Sequence, residues 1–136
     1  MQRCLSRAVP VLSLFALLAG CAGQEPAPSA GLARVDLGQE APNQLFTLAL
    51  DGQPVHDLRY FDVPPGPHRL SVQLDRSGDD SPAQAQCQAM VEYAGFSAGQ
   101  RYRLAERATG RGLVVRLYDD QGHALGDPLP LHCYPS

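Results

Sequence analysis

From Leu32 onward, apolar residues recur at every second position rather than every third or fourth. That is the period of a strand with one buried face. Phe46, Leu48 and Leu50 alternate with Thr47 and Ala49, and the run stops at Asp51-Gly52, a pair suited to a tight hairpin turn. Leu70, Val72 and Leu74 alternate with Arg69, Ser71 and Gln73. Cys87, Ala89, Val91 and Tyr93 alternate with Gln88, Met90 and Glu92. The Ala and Gln residues within 83–92 could carry a short helix, but the alternation favours a strand. Tyr102 with Leu104, then Leu113, Val115 and Leu117, repeat the pattern, and Leu131 and Cys133 share one face near the end. Ala33–Leu37 and Leu58–Val63 read as further strands. Turn chemistry separates the runs: Pro64-Pro65-Gly66-Pro67, the polar stretch Ser77 to Pro82, and Asp119-Asp120-Gln121-Gly122. Seven or eight short strands at this spacing predict an all-β chain folded as an antiparallel β-sandwich, and twelve prolines argue against long helices.

The beginning of the chain breaks the alternation. Arg3 and Arg7 precede a nearly continuous apolar run from Ala8 to Ala19. This is the layout of a secretory signal, and the run is too short to span a bilayer comfortably. Residues 22–31, Ala-Gly-Gln-Glu-Pro-Ala-Pro-Ser-Ala-Gly, have linker composition. Ten residues fully extended reach at most ~33–36 Å. The expected organisation is a signal over 1–20, a linker over 21–31 and one sandwich domain over 32–136.

Charge and cysteines then narrow the picture. Loss of Arg3 and Arg7 with the signal leaves nine basic side chains from eleven, against fourteen acids, a net of −5. The chain has no lysine. A net acidic domain offers no footprint for nucleic acid and no polybasic patch for anionic lipid. Of four cysteines, Cys4 leaves with the signal and Cys21 begins the mature chain, so Cys87 and Cys133 remain. An exported protein meets an oxidising compartment, where a Cys87–Cys133 disulfide is the natural pairing. The alternative is two buried free thiols. Both cysteines fall on predicted inward faces, so the bond would staple two strands within or between sheets.

Leu18-Ala19-Gly20-Cys21, at the end of the apolar run, resembles a bacterial lipobox. The resemblance implies diacylglycerol on the Cys21 thiol, cleavage before it and acylation of the new amino group. Two or three acyl chains anchor stably where one does not, since each buried methylene contributes ~0.8 kcal/mol. Ala22, in place of the Asp that retains lipoproteins at the inner membrane in some bacteria, implies the outer membrane, facing the periplasm.

A second resemblance covers about a third of the mature chain. Leu50-Asp51-Gly52-Gln53-Pro54-Val55 followed by Val63-Pro64-Pro65-Gly66-Pro67-His68-Arg69-Leu70-Ser71-Val72 resembles the PEGA-type repeat of bacterial surface proteins. Ala98-Gly99-Gln100-Arg101-Tyr102 is similar to the strand entry of small lipoprotein sandwiches. These imply a prealbumin-like or immunoglobulin-like sandwich and no catalytic residues.

Candidate chemistry is sparse. His56, His68, His123 and His132 have no metal-ligand spacing. The acids at Asp75, Asp79 and Asp80 and at Asp119 and Asp120 do not follow a calcium loop and read as solvated turns. No Gly-x-Ser-x-Gly elbow is present, and no cofactor or metal is implied. With no Trp and nine aromatics, a sugar-stacking platform has little support. Arg101, Arg103 and Arg107, with Arg111 and Arg116, form a local basic area. If Arg101, Arg103 and Arg116 share an outer face, they could bind an anionic glycan, a lipid headgroup or an acidic partner; the alternative is a solvated strand face. The expected function is a non-catalytic envelope lipoprotein that binds a protein or envelope polymer or serves a structural role. The rival is a small-ligand or metal-binding sensor module.

Overall fold

The computed structural model describes residues 27–38, 43–55, 59–76 and 86–134. Ten strands and no helix occur among them: β1 (Ala33–Leu37), β2 (Gln44–Leu50), β3 (Gln53–Pro54), β4 (Tyr60–Val63), β5 (Gly66–Asp75), β6 (Gln86–Phe96), β7 (Arg101–Thr109), β8 (Gly112–Asp119), β9 (Ala124–Pro130) and β10 (His132–Tyr134). They form two five-stranded sheets packed as a sandwich, the first in the order β4-β1-β7-β8-β9 and the second β10-β6-β5-β2-β3. The pairings are antiparallel except β1 with β7, which run parallel from Arg34 opposite Arg101 to Leu37 opposite Leu104.

The inward faces follow the alternation in most strands. Val35, Val63, Leu104 and Val115 from the first sheet meet Leu45, Leu70, Val72, Leu74 and Cys87 from the second, all fully buried. Complete burial of one such aliphatic side chain contributes about 1.5–3 kcal/mol, so these residues hold the two sheets together.

The strands depart from the alternation in two places. The face of β2 is reversed: Leu45 and Thr47 point inward, while Leu48 is 40% exposed. The register shows why. Thr47 lies opposite Val72 and Ala49 opposite Ser71, so Leu48 is the extra residue of a β-bulge. After the bulge Leu50 returns to the core. Strands β3 and β9 were not expected from the alternation. Pro128 and Pro130 fit β9 because it is an edge strand, where a missing N–H costs no ladder bond. Cys133 shares the inward side with Cys87 directly opposite, as the alternation predicts, and is exposed there because β10 is the short edge of its sheet.

The ends of the sandwich differ. The described chain enters at Ala27, and Ser29, expected in the linker, already donates its hydroxyl to Asp62 Oδ2 at 2.6 Å. The Leu32 carbonyl then accepts from the Gly99 N–H at 2.8 Å, which fixes the entry to β1 beside the β6–β7 turn. The Asp51-Gly52 and Asp119–Gly122 turns lie at this same end by register. At the opposite end, Cys133 sits directly across from Cys87, and the two form a disulfide of sequence separation 46 within the second sheet. Cys21 lies outside the described residues, as do His56, Asp79 and Asp80.

Candidate functional site

The outer face of the first sheet carries the charged residues of β1, β7 and β8. Period two turns Tyr102 and Leu104 inward, so Arg101, Arg103 and Arg107 stand on the outer side. Arg103 is flanked across the ladder by Asp36 on β1 and by Tyr118 on β8. Residues directly opposite have Cβ atoms about 4.5–5.5 Å apart, which makes Asp36–Arg103–Tyr118 a continuous cross-strand row. Arg107 extends over the Tyr118 ring at 6.0 Å. These residues line a groove of about 470 Å³ that also takes in Arg101, Asp119 and Asp120. At its far end Gly38 approaches β7 so closely that a Cβ there would stand 3.1 Å from the Ala105 Cβ.

Arg101 and Arg103 are therefore brought together as expected, and Arg107 joins them. Arg116 is not part of the groove. It shares the outer face, opposite Ala105, but its Nε donates to the Gly126 carbonyl at 3.1 Å at the β9 edge. Arg111 sits in the β7–β8 turn. The groove is also not simply basic, because Asp36, Asp119 and Asp120 interleave with its arginines. Such a surface suits a partner of mixed charge better than a polyanion.

Asp119 organises the end of the groove. Its Oδ1 accepts the N–H groups of His123 at 2.8 Å and Gln121 at 2.9 Å, and its Oδ2 meets His123 Nδ1 at 3.1 Å. Burial raises its pKa, but these hydrogen bonds outweigh that and hold the carboxyl below its usual range.

The residues that carry the PEGA-like pattern serve the fold. Asp51, at a φ of 49°, presents Oδ1 to the Arg69 N–H at 2.9 Å and Oδ2 to His68 Nδ1 at 2.5 Å. The Arg69 amide, then His68, hold its carboxyl below the ordinary range. Asp51 thus pins the turn after β2 to the start of β5. Tyr102 closes the other pattern: its hydroxyl donates to the Gly95 carbonyl at 3.2 Å and accepts from the Ser97 N–H at 2.9 Å. Gly99, at a φ of 76°, makes the turn between them. No group of three or more His, Cys, Asp or Glu residues is placed to hold a metal among the described residues. No protein-family profile matches the chain, and no curated protein or solved structure is significantly similar to it.

The arginines are visible in the sequence through their alternation along one strand. Asp36 is not visible there as a member of the groove, because the parallel β1–β7 pairing brings it in. Nor is the ring partner of Arg107, since Tyr118 reaches it across the hairpin.

Proposed function

We propose that this chain is a lipid-anchored envelope protein, non-catalytic, whose sandwich recognises a protein partner through the outer face of its first sheet. The anchor rests on the signal-like N-terminus and on Leu18-Ala19-Gly20-Cys21. The observation that carries the recognition reading is the cross-strand row Asp36–Arg103–Tyr118 in an open groove. The interior supports the same reading over a small-ligand module, since aliphatic side chains from both sheets occupy it. A protein surface offers both signs of charge, as the groove does. A phosphorylated or uronic polymer would face Asp36, Asp119 and Asp120 as well as the arginines.

Two variants separate the parts of this reading. Cys21→Ser should move the protein from the membrane to the soluble fraction of the envelope; continued membrane retention would remove the anchor. Arg103→Glu should leave localisation unchanged. It should also abolish capture of an envelope protein by a photoreactive residue placed at Tyr118 in intact cells. Unchanged capture by Arg103→Glu would remove the groove from partner recognition.

A further inference from the structure

The second sheet presents a different outer surface, and it does not rest on the groove. The exposed large apolar side chains among the described residues are Leu48 at 40%, Met90 at 48% and Tyr134 at 60%. All three belong to this sheet. Met90 lies opposite Ser71, and its sulfur receives the Ser71 hydroxyl at 3.5 Å. Tyr134 lies opposite Gln86, on the side that Cys87 turns away from. The bulge places Leu48 and Ala49 together against Ser71. Between them the face carries amides: Gln73 opposite Gln88, with Gln88 Nε2 donating to Gln73 Oε1 at 3.4 Å. Beside Ser71 and Met90 the surface dips into an open depression of about 740 Å³ that Arg69 and Glu92 also line.

The charges on β5 sit at the two ends of this face. Read along the outward positions, the strand runs Arg69, Ser71, Gln73, Asp75. Reversed, the same row runs Asp75, Gln73, Ser71, Arg69. A two-fold axis lying between two such faces sets each Arg69 against the Asp75 of the other copy and each Ser71 against the other Gln73. That is the self-complementarity an isologous contact requires. Within its own copy Arg69 already donates to Glu92 at 2.7 Å, but both side chains are more than half exposed. A guanidinium carries five N–H donors, so it can serve a second carboxylate as well. The chain carries a net charge of −3, so two copies repel in general. On this row the charges of the two copies meet as opposites. We infer that the outer face of the second sheet is a homodimer surface, with a second copy of this chain as its occupant in a reversed, face-to-face packing. Strand spacing and rise make the face roughly 20 Å by 20 Å, which places the contact among small, concentration-dependent interfaces.

The test uses the full chain in intact cells with Ser71→Cys and a membrane-permeant bis-maleimide that spans about 10 Å, the spacing of stacked sheets. The native Cys87 and Cys133 are joined to each other, and the wild-type chain controls for any reaction at Cys21. A dimer band specific to Ser71→Cys is expected. In that background Arg69→Asp and Asp75→Arg should each weaken the band about tenfold, as opposite charges become like charges at two symmetric contacts. The combined Arg69→Asp/Asp75→Arg chain should restore it. Absence of the dimer band would overturn the inference, as would its persistence in either single charge variant. Crosslinking of the Ser71→Cys chain to a different protein in place of a second copy would also overturn it.

Discussion

Asp62 grips Arg34 at two points, Oδ1 at 2.8 Å from Nε and Oδ2 at 3.1 Å from Nη2, on the outer face of the first sheet. The Arg34 side chain is only 5% exposed, and its guanidinium lies 4.2 Å from the centre of the Tyr60 ring. Asp62 also receives the Ser29 hydroxyl, so one carboxylate joins β4, β1 and the entering chain. Removing one member of a nearly buried pair takes away most of the compensation of the other charge. Asp62→Ala should therefore destabilise the sandwich by about 3 kcal/mol, measured by urea unfolding. The double change Arg34→Met/Asp62→Leu should cost less than Asp62→Ala alone, because no buried charge is stranded.

The same contact gives stability a defined pH dependence. Hydrogen bonds from Arg34, then from Ser29, hold the Asp62 carboxyl below its usual range against the opposing effect of burial. A lowered folded pKa means that the contribution is complete above the unfolded value of about 3.9. It is lost as pH falls through the lower folded value. Asp51 and Asp119 are lowered as well and add to the same acid window. Wild type should lose stability steeply below about pH 4, whereas Asp62→Asn should show a shallower fall. Parallel curves for the two proteins, measured by denaturant unfolding across pH, would contradict this assignment.

The Cys87–Cys133 bond joins two directly opposed residues and closes a separation of 46. Its chain-entropy contribution is about 4 kcal/mol. Cys87→Ala/Cys133→Ala should lower unfolding stability by that order. Because β10 has three residues and, among the described residues, pairs with β6 alone, its amides should also exchange early in the variant. Uniform exchange across both sheets would indicate a global effect rather than release of one edge.

The alternation made the sandwich legible because most strands have one buried face. Leu70, Val72 and Leu74, or Tyr102 and Leu104, have no other reason to recur with period two. The disulfide was legible from cysteine count and export, while its place at an exposed sheet edge was not. Strand β2 misled because a bulge shifts the phase by one residue, and nothing in Phe-Thr-Leu-Ala marks the insertion. The groove was half legible. Arg101 and Arg103 are neighbours on one strand, but Asp36 joins through a pairing between residues far apart in the chain. Arg116 shares their face and is turned away by a second register shift, between Val115 and Leu117.

Gly95 is an exposed residue that the sequence gives no cause to protect. A Cβ at this position would stand 2.7 Å from the Tyr93 hydroxyl and 2.9 Å from its Cζ. The tip of a tyrosine could swing aside if it were loose, but Tyr93 packs edge-on against Phe96 at 5.0 Å and beside Tyr102 at 5.9 Å. Burial, with Tyr102 and Asp119 nearby, raises its phenol pKa. Gly95→Ala should cost about 1–2 kcal/mol, as overpacking against a held side chain does. Gly95→Ala combined with Tyr93→Phe should recover part of the loss, since the hydroxyl is the nearest obstacle. An alanine tolerated in the wild-type background would mean that the ring moves freely.

Thr47 offers the opposite sign. It is 2% exposed on the inward face of β2, opposite Val72, and its hydroxyl has no hydrogen-bond partner among the described residues. A buried hydroxyl without a partner has lost its water and gained nothing in return. Valine has nearly the same shape and the same preference for strands. Thr47→Val should therefore raise stability by about 1 kcal/mol, seen as a higher urea midpoint with an unchanged slope. Thr47→Ala removes the same hydroxyl but also a methyl group from a packed core, so it should stabilise less or destabilise. If valine lowered the midpoint, the hydroxyl would have a partner, and the inward assignment of Thr47 that follows from the bulge at Leu48 would have to be abandoned.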